Sequence, residues 1–168
     1  MRSSLLALAL LPVLAGCSLE PEESPLSGPG FEEDTGAFLG EEGDYVIALT
    51  YLKVRNAPGP GDRFGELATD AATNLFETEP EGWLGAGFRN IGRLQQFTMT
   101  AWESEEAMLE WVVSPVHVQA MTEIGDVSSE AKSTMLDVTE AELPFSWEEA
   151  VPVYDTLDWY QHPRMRSE

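Results

Sequence analysis

Tyr45 to Val54 reads YVIALTYLKV, a run of β-branched and aromatic residues that predicts a strand. Alternate side chains of a strand point to opposite faces. Tyr45, Ile47, Leu49 and Tyr51 therefore share one side, and Val46, Ala48, Leu52 and Val54 the other. Both sides are apolar. A strand of an antiparallel sheet with one face in water alternates apolar and polar residues more cleanly. This strand therefore belongs to a sheet that is covered on both faces.

The next elements follow from local signals. Asn56 to Asp62, NAPGPGD, is a loop with strong breakers. Asp62 is the predicted cap of a helix whose face carries Phe64, Leu67, Ala68, Ala71 and Leu75. Gly82 to Ile91 and Arg93 to Trp102 read as strands joined at Gly92 by a hairpin, with Phe97, Met99 and Ala101 opposite Thr98, Thr100 and Trp102. Ser104 caps a second helix, with Glu105 and Glu106 in its positive first turn and Met108, Trp111 and Val112 on its apolar side. Ser114-Pro115 restarts the helical run, serine at the cap and proline at the first position. Gly125 is expected to break it, with a short helical piece from Ser129, a strand over 134–142 and a closing helix capped by Ser146.

Strand, helix, strand, strand, helix, strand is the split βαβ order of an α+β, ferredoxin-like fold: a four-stranded antiparallel sheet with helices on one face, here with an extra C-terminal helix. Residues 45–158 form that domain, and 159–168 a polar tail containing His162. The second face of the sheet needs a cover. A second copy of the chain is the simplest, since most oligomers are symmetric homodimers; a bound small apolar molecule is the other candidate.

The N-terminus, MRSSLLALALLPVLAGC, carries one positive charge and an apolar run from Leu5 to Leu14, too short for a permanent span of about 20 residues. It reads as an export signal over residues 1–17. Leu14-Ala15-Gly16-Cys17 resembles the bacterial lipobox, which implies cleavage before Cys17 and lipidation of it. The resemblance implies a protein of the bacterial cell envelope, held by lipid to the outer or the cytoplasmic membrane. Ser18 resembles the outer-membrane sorting choice. Cys17 is the only cysteine, so no disulfide can form within the chain.

Residues 18–44 hold nine of the 30 acidic residues and no basic one, which predicts a disordered acidic tether whose ends lie about 30 Å apart. The whole chain carries −21. Such a surface repels phosphates and excludes nucleic acid as a partner. A saline habitat is an alternative source of the acidity. The sequence shows no Gly-rich phosphate loop, no Cys/His metal spacing and no hydrolase motif.

Trp102-Glu103-Ser104-Glu105 with Ala107, then Trp111, Ser114-Pro115 and His117, resembles the dimeric α/β-barrel superfamily, which includes antibiotic-biosynthesis-type and haem-degrading monooxygenases. The resemblance spans Tyr45 to Leu143, and a terminal piece, Pro144 to Ala150, is similar to one in its uncharacterised members. It implies a cavity between sheet and helices near Trp102, His117 and Met121. Cofactor-free members need no cofactor to oxidise their substrates; haem is the cofactor of others. Aligned on the haem-degrading members, Trp102 takes the place of their haem-contacting tryptophan. Met121 stands where their axial histidine is, and Val46 to Tyr51 holds no asparagine to match their catalytic one. His117 and Met121 are four apart and share a helix face, so His117 could meet a haem from one turn earlier.

His117 is thus a candidate acid–base residue with Trp102, a candidate cofactor contact with Met121, or a packed helix-start residue. As the third residue of its helix it meets the positive N-terminus, which keeps the imidazole neutral. The sequence supports a lipid-anchored, monooxygenase-like domain that oxidises or binds a small apolar molecule or haem. A non-catalytic binding lipoprotein and a purely structural homodimer are the alternatives.

Overall fold

The computed structural model describes residues 20–157. The signal, Cys17 and the tail from residue 159 lie outside the described residues. In chain order the elements are β1 (Glu22–Glu23), β2 (Asp44–Val54), α1 (Pro60–Thr78), β3 (Trp83–Ile91), β4 (Gln95–Trp102), α2 (Glu105–Val112), α3 (Pro115–Val127), β5 (Ser128–Thr139), a 3-10 turn (Glu140–Glu142) and α4 (Trp147–Thr156). The sheet order is β1-β3-β4-β2-β5, antiparallel throughout. Without β1, this is the ferredoxin-like arrangement, with β2 between β4 and β5. The strand opened by Tyr45 lies inside the sheet, and it is apolar on both sides because both faces are packed: Ile47, Leu49 and Tyr51 on one, Val46 and Ala48 on the other.

Most local signals act as read. Ser104, Ser114 and Ser146 accept backbone N–H bonds from Ala107, His117 and Glu149. Gly92, at φ 59°, turns the β3–β4 hairpin in a conformation that a side chain would disfavour. Three expectations give way. Helix α1 begins at Pro60 behind Gly59, and Asp62 lies in its first turn without capping it. A proline preset at the first helical position starts the helix two residues before the acid. Helix α3 runs through Gly125 to Val127, because buried Ile124 and Val127 hold it against the glycine's cost of about 1 kcal/mol. It ends where the buried Ser128 hydroxyl donates to the Ile124 carbonyl at 2.6 Å. No helical piece forms at Ser129. Instead β5 pairs with β2 from Val54↔Ser128 to Asp44↔Thr139, and pairing with the central strand overrides a mixed local propensity.

The two faces of the sheet are covered differently. Val46, Trp83, Ala86 and Trp102 pack with Leu75 of α1 and Met108 of α2. On the opposite face Ile47, Leu49, Tyr51, Phe97, Met99 and Ala101 pack with Leu26, Phe31, Trp147, Ala150 and Tyr154. Helices α1 and α2 thus cover one face, while α4 and the segment before β2 cover the other.

This corrects the reading of residues 18–44. From Glu20 onward the acidic segment is a docked strap. Its backbone follows the edge of β3: Ser24 N donates to Phe88 O at 2.8 Å, Ser27 N to Ala86 O at 3.0 Å, and Gly30 N to Leu84 O at 2.8 Å. Leu26 and Phe31 are buried, and the Trp147 indole of α4 donates to Ser24 O at 2.8 Å. Arg89 pairs with Glu23. Composition pointed to disorder because acids outnumber apolar residues here, yet two well-spaced anchors and a free strand edge suffice to hold the segment. Gly85 marks the crossing. A Cβ there would meet Ser27 O at 2.8 Å and the Phe31 ring at 2.9 Å. The uncovered apolar face that called for a second copy is therefore filled from within the chain.

Candidate functional site

The candidate residues meet, in part, between the sheet and helices α2 and α3. Trp102 ends β4 on the helix side and is fully buried. Its indole Nε1 donates to Thr100 Oγ1 at 2.8 Å, two residues back on the same side of the strand. The Trp111 ring of α2 lies over it, centroids 6.1 Å apart and planes 39° apart. The His117 ring packs on Trp111 at 4.6 Å and 54°. The three rings form a row from the sheet outward. Met121, one turn beyond His117 on α3, is 38 % exposed and lies at the surface.

The helix start fixes His117. Its backbone N–H reaches the Ser114 hydroxyl at 3.4 Å, and its Nδ1 lies 2.9 Å from the Val112 carbonyl. A carbonyl only accepts, so Nδ1 carries the proton and Nε2 holds the free lone pair of the neutral ring. Burial pushes the His117 pKa below its ordinary value, and the bond to Val112 opposes this more weakly. The neutral form is thus favoured on folding, as the sequence led one to expect, but desolvation is the leading cause.

That shift has a consequence for stability. The folded chain holds the His117 proton less readily than the unfolded chain. Stability from this group is therefore present above the unfolded value of about 6.5 and is lost as pH falls through the depressed folded value. Urea unfolding at pH 7.5, 6.5 and 5.5 is expected to show a falling midpoint in the parent chain and a flatter dependence in His117→Gln. Equal slopes would mean that His117 titrates alike in both states. Glu123 and Glu142 titrate below the ordinary carboxylate range, held by Arg63 and by the Thr139 backbone N–H, so they stay charged across this window.

Sequence reasoning placed Trp111 on the apolar side of its helix but missed what its donor does. Trp111 Nε1 and Trp83 Nε1 are both buried without a hydrogen-bond partner among the described residues. Trp83 pairs with Trp102 across the β3–β4 ladder and packs edge-on against Phe76 of α1 at 5.0 Å. Buried polar groups are normally satisfied, and an orphaned donor costs about 1–3 kcal/mol. No periodicity signal could reveal this, since an indole's apolar ring and its N–H serve different neighbours. Among the described residues no cluster of histidine, cysteine, aspartate and glutamate has a metal-binding arrangement. A separate open groove of about 610 Å³ runs along the outer side of α2, lined by Ser104, Glu105, Glu106, Leu109, Glu110 and Val113. None of the ring residues lines it.

No family model and no curated protein matches the chain. Solved structures with a similar chain path include SnoaB, a cofactor-independent oxygenase from Streptomyces nogalater, at 14 % identity and a TM-score of 0.46 over 56 % of this chain and 92 % of that one. Rv0793 from Mycobacterium tuberculosis is 15 % identical, with a TM-score of 0.48 over 55 % and 92 % of the two chains. NE2512, a protein of unknown function from Nitrosomonas europaea, is 12 % identical, with a TM-score of 0.49 over 61 % and 97 %. The ferredoxin-like assignment rests on the strand order and connections of the chain itself.

Proposed function

We propose that this is a monooxygenase-like, ligand-binding domain of a lipid-anchored envelope protein, and that it takes a small planar apolar molecule bearing a carbonyl or similar acceptor. The observation that carries the reading is the pair of orphaned indole donors, Trp83 Nε1 and Trp111 Nε1, within an aromatic cluster. Ring faces supply the contact area, and an acceptor on the ligand would relieve a buried N–H. His117 Nε2 offers an acceptor at the outer end of the same row. Trp102, with its donor spent on Thr100, serves as the packed floor.

The test is calorimetric titration with a naphthoquinone. Saturable binding at one site per chain is expected, weakened about fivefold in Trp111→Phe or Trp83→Phe, which keep a ring and remove one hydrogen bond of about 1 kcal/mol. Binding that never saturates, or that is unchanged in both variants, would remove this reading. Oxygen uptake with the bound compound then separates an oxygenase from a carrier.

A haem reading is favoured by one feature, the neutral His117 with its proton on Nδ1, which leaves Nε2 as the nitrogen with the lone pair that iron requires. A stoichiometric Soret shift on haemin titration, lost in His117→Ala, would support it. An equal shift in both proteins would leave His117 as a helix-start residue.

A further inference from the structure

We propose that the end of the sheet formed by the close of β2, the β3–β4 hairpin and the start of β5 is the membrane-facing surface of the domain, apposed to anionic lipid headgroups, with the opposite end held away. The inference rests on the reading of Cys17 as a lipidated residue and adds an orientation to it.

Two observations converge. The first is the strap. A free tether of residues 18–44 would let the domain turn in any direction. Instead Glu22 pairs with Asn90, beside the hairpin. Only five residue steps separate Cys17 from Glu22, at most about 18 Å of chain. The chain therefore leaves the domain at the hairpin end and on a short lead.

The second is the distribution of charge. The basic residues of the described chain are Lys53, Arg55, Arg63, Arg89, Arg93 and Lys132. All lie in the hairpin half of the molecule. Lys53 and Arg55 close β2, and Arg93 is in the hairpin. Arg63 is in the first turn of α1, Arg89 is level with Phe97, and Lys132 is level with Tyr51. Four acids pair with them: Glu23 with Arg89, Glu130 with Lys53, and Glu66 and Glu123 with Arg63. Glu20, Glu22, Asp62 and Asp126 also lie at this end, so its charge is mixed. The other end carries Glu41, Glu42, Glu103, Glu105, Glu140 and Glu142 with no lysine or arginine. The eleven residues of β2 separate the two ends by roughly 35 Å, several times the Debye length of about 8 Å. Close to an anionic surface the end that carries all the described bases is repelled less than the end that carries none. Chain exit and electrostatics select the same orientation.

The test uses full-length protein made in a host that processes lipoproteins, reconstituted into vesicles containing about a third anionic lipid. Single fluorophores are placed through Asn56→Cys or Ala141→Cys, both exposed, at the mixed-charge and the all-acidic end respectively. A nitroxide on the lipid headgroup acts as quencher. The expected result is quenching at position 56 at least threefold that at position 141. Equal or reversed quenching on a chain whose mass shows the acylated Cys17 overturns the orientation alone. A mature chain without acyl groups overturns the anchoring reading and the orientation with it.

Discussion

A chain shortened to begin at Tyr45 is expected to pair or aggregate at micromolar concentration, whereas a chain beginning at Glu20 is expected to sediment as a monomer. The shortened chain keeps every element of the ferredoxin-like core but loses Leu26 and Phe31. These cover a sheet face that includes the fully buried Leu49 and Met99. Each lost anchor contributes about 1.5–3 kcal/mol by burial, so the pair represents roughly 3–6 kcal/mol. That is a large part of the 5–15 kcal/mol typical of a domain. The same cut bares the edge of β3, whose Ala86 and Leu84 backbone groups the strap now engages. An exposed apolar face beside an open strand edge is a template for another chain. Sedimentation velocity with a urea titration decides the matter. A shortened chain that stays monomeric with an unchanged midpoint would show that the strap contributes nothing. Gly85→Ala offers a gentler version: its new methyl meets Ser27 O and Phe31, and a loss of about 1–3 kcal/mol is expected, much less in the shortened chain.

Trp102→Ala is the point change with the largest expected cost, about 3–5 kcal/mol. The side chain is fully buried on β4, adjacent to both Trp83 and Val46 across the ladders, and it carries the Trp111 ring above it. Removing it opens a cavity at the floor of the aromatic row and leaves the Thr100 hydroxyl without its indole donor. Trp102→Phe keeps most of the ring and is expected to lose less than half as much. Urea midpoints of the two variants beside the parent measure this. If Trp102→Ala lowered ligand binding while stability stayed within 0.5 kcal/mol of the parent, Trp102 would be a contact residue and its packing role would be minor.

His117 and Trp111 show where reading from sequence succeeds and where it stops. Ser114-Pro115 placed His117 in the first turn of a helix, and the Ser114 cap is present. The neutral imidazole was foreseen from the helix end, yet burial is the larger cause. Burial depends on Trp111 folding over the ring, a contact between helices that spacing does not encode. Met121 shares the His117 face of α3 but lies at the surface, because helical periodicity gives a direction around the axis and not a depth. The orphaned donors of Trp83 and Trp111 were invisible for a related reason. Whether an indole N–H finds an acceptor is settled by a few tenths of an ångström in the packing of separate elements.

What the sequence determined by itself is local and periodic. The two-sided apolar run from Tyr45, the hairpin at Gly92 and the serine caps of three helices prescribe the order of the elements, and that order is sufficient for a ferredoxin-like sheet with β2 in its interior. The same run also stated that both faces are covered. Only the tertiary structure decided by what. Leu26 and Phe31 lie far along the chain from Trp147 and Tyr154, and all four close over the same sheet face. Such long-range contacts reward burial of a surface that exists only once the sheet has formed. A composition rich in Glu and Gly records the strap's exposed side and is silent about the two side chains that fasten it.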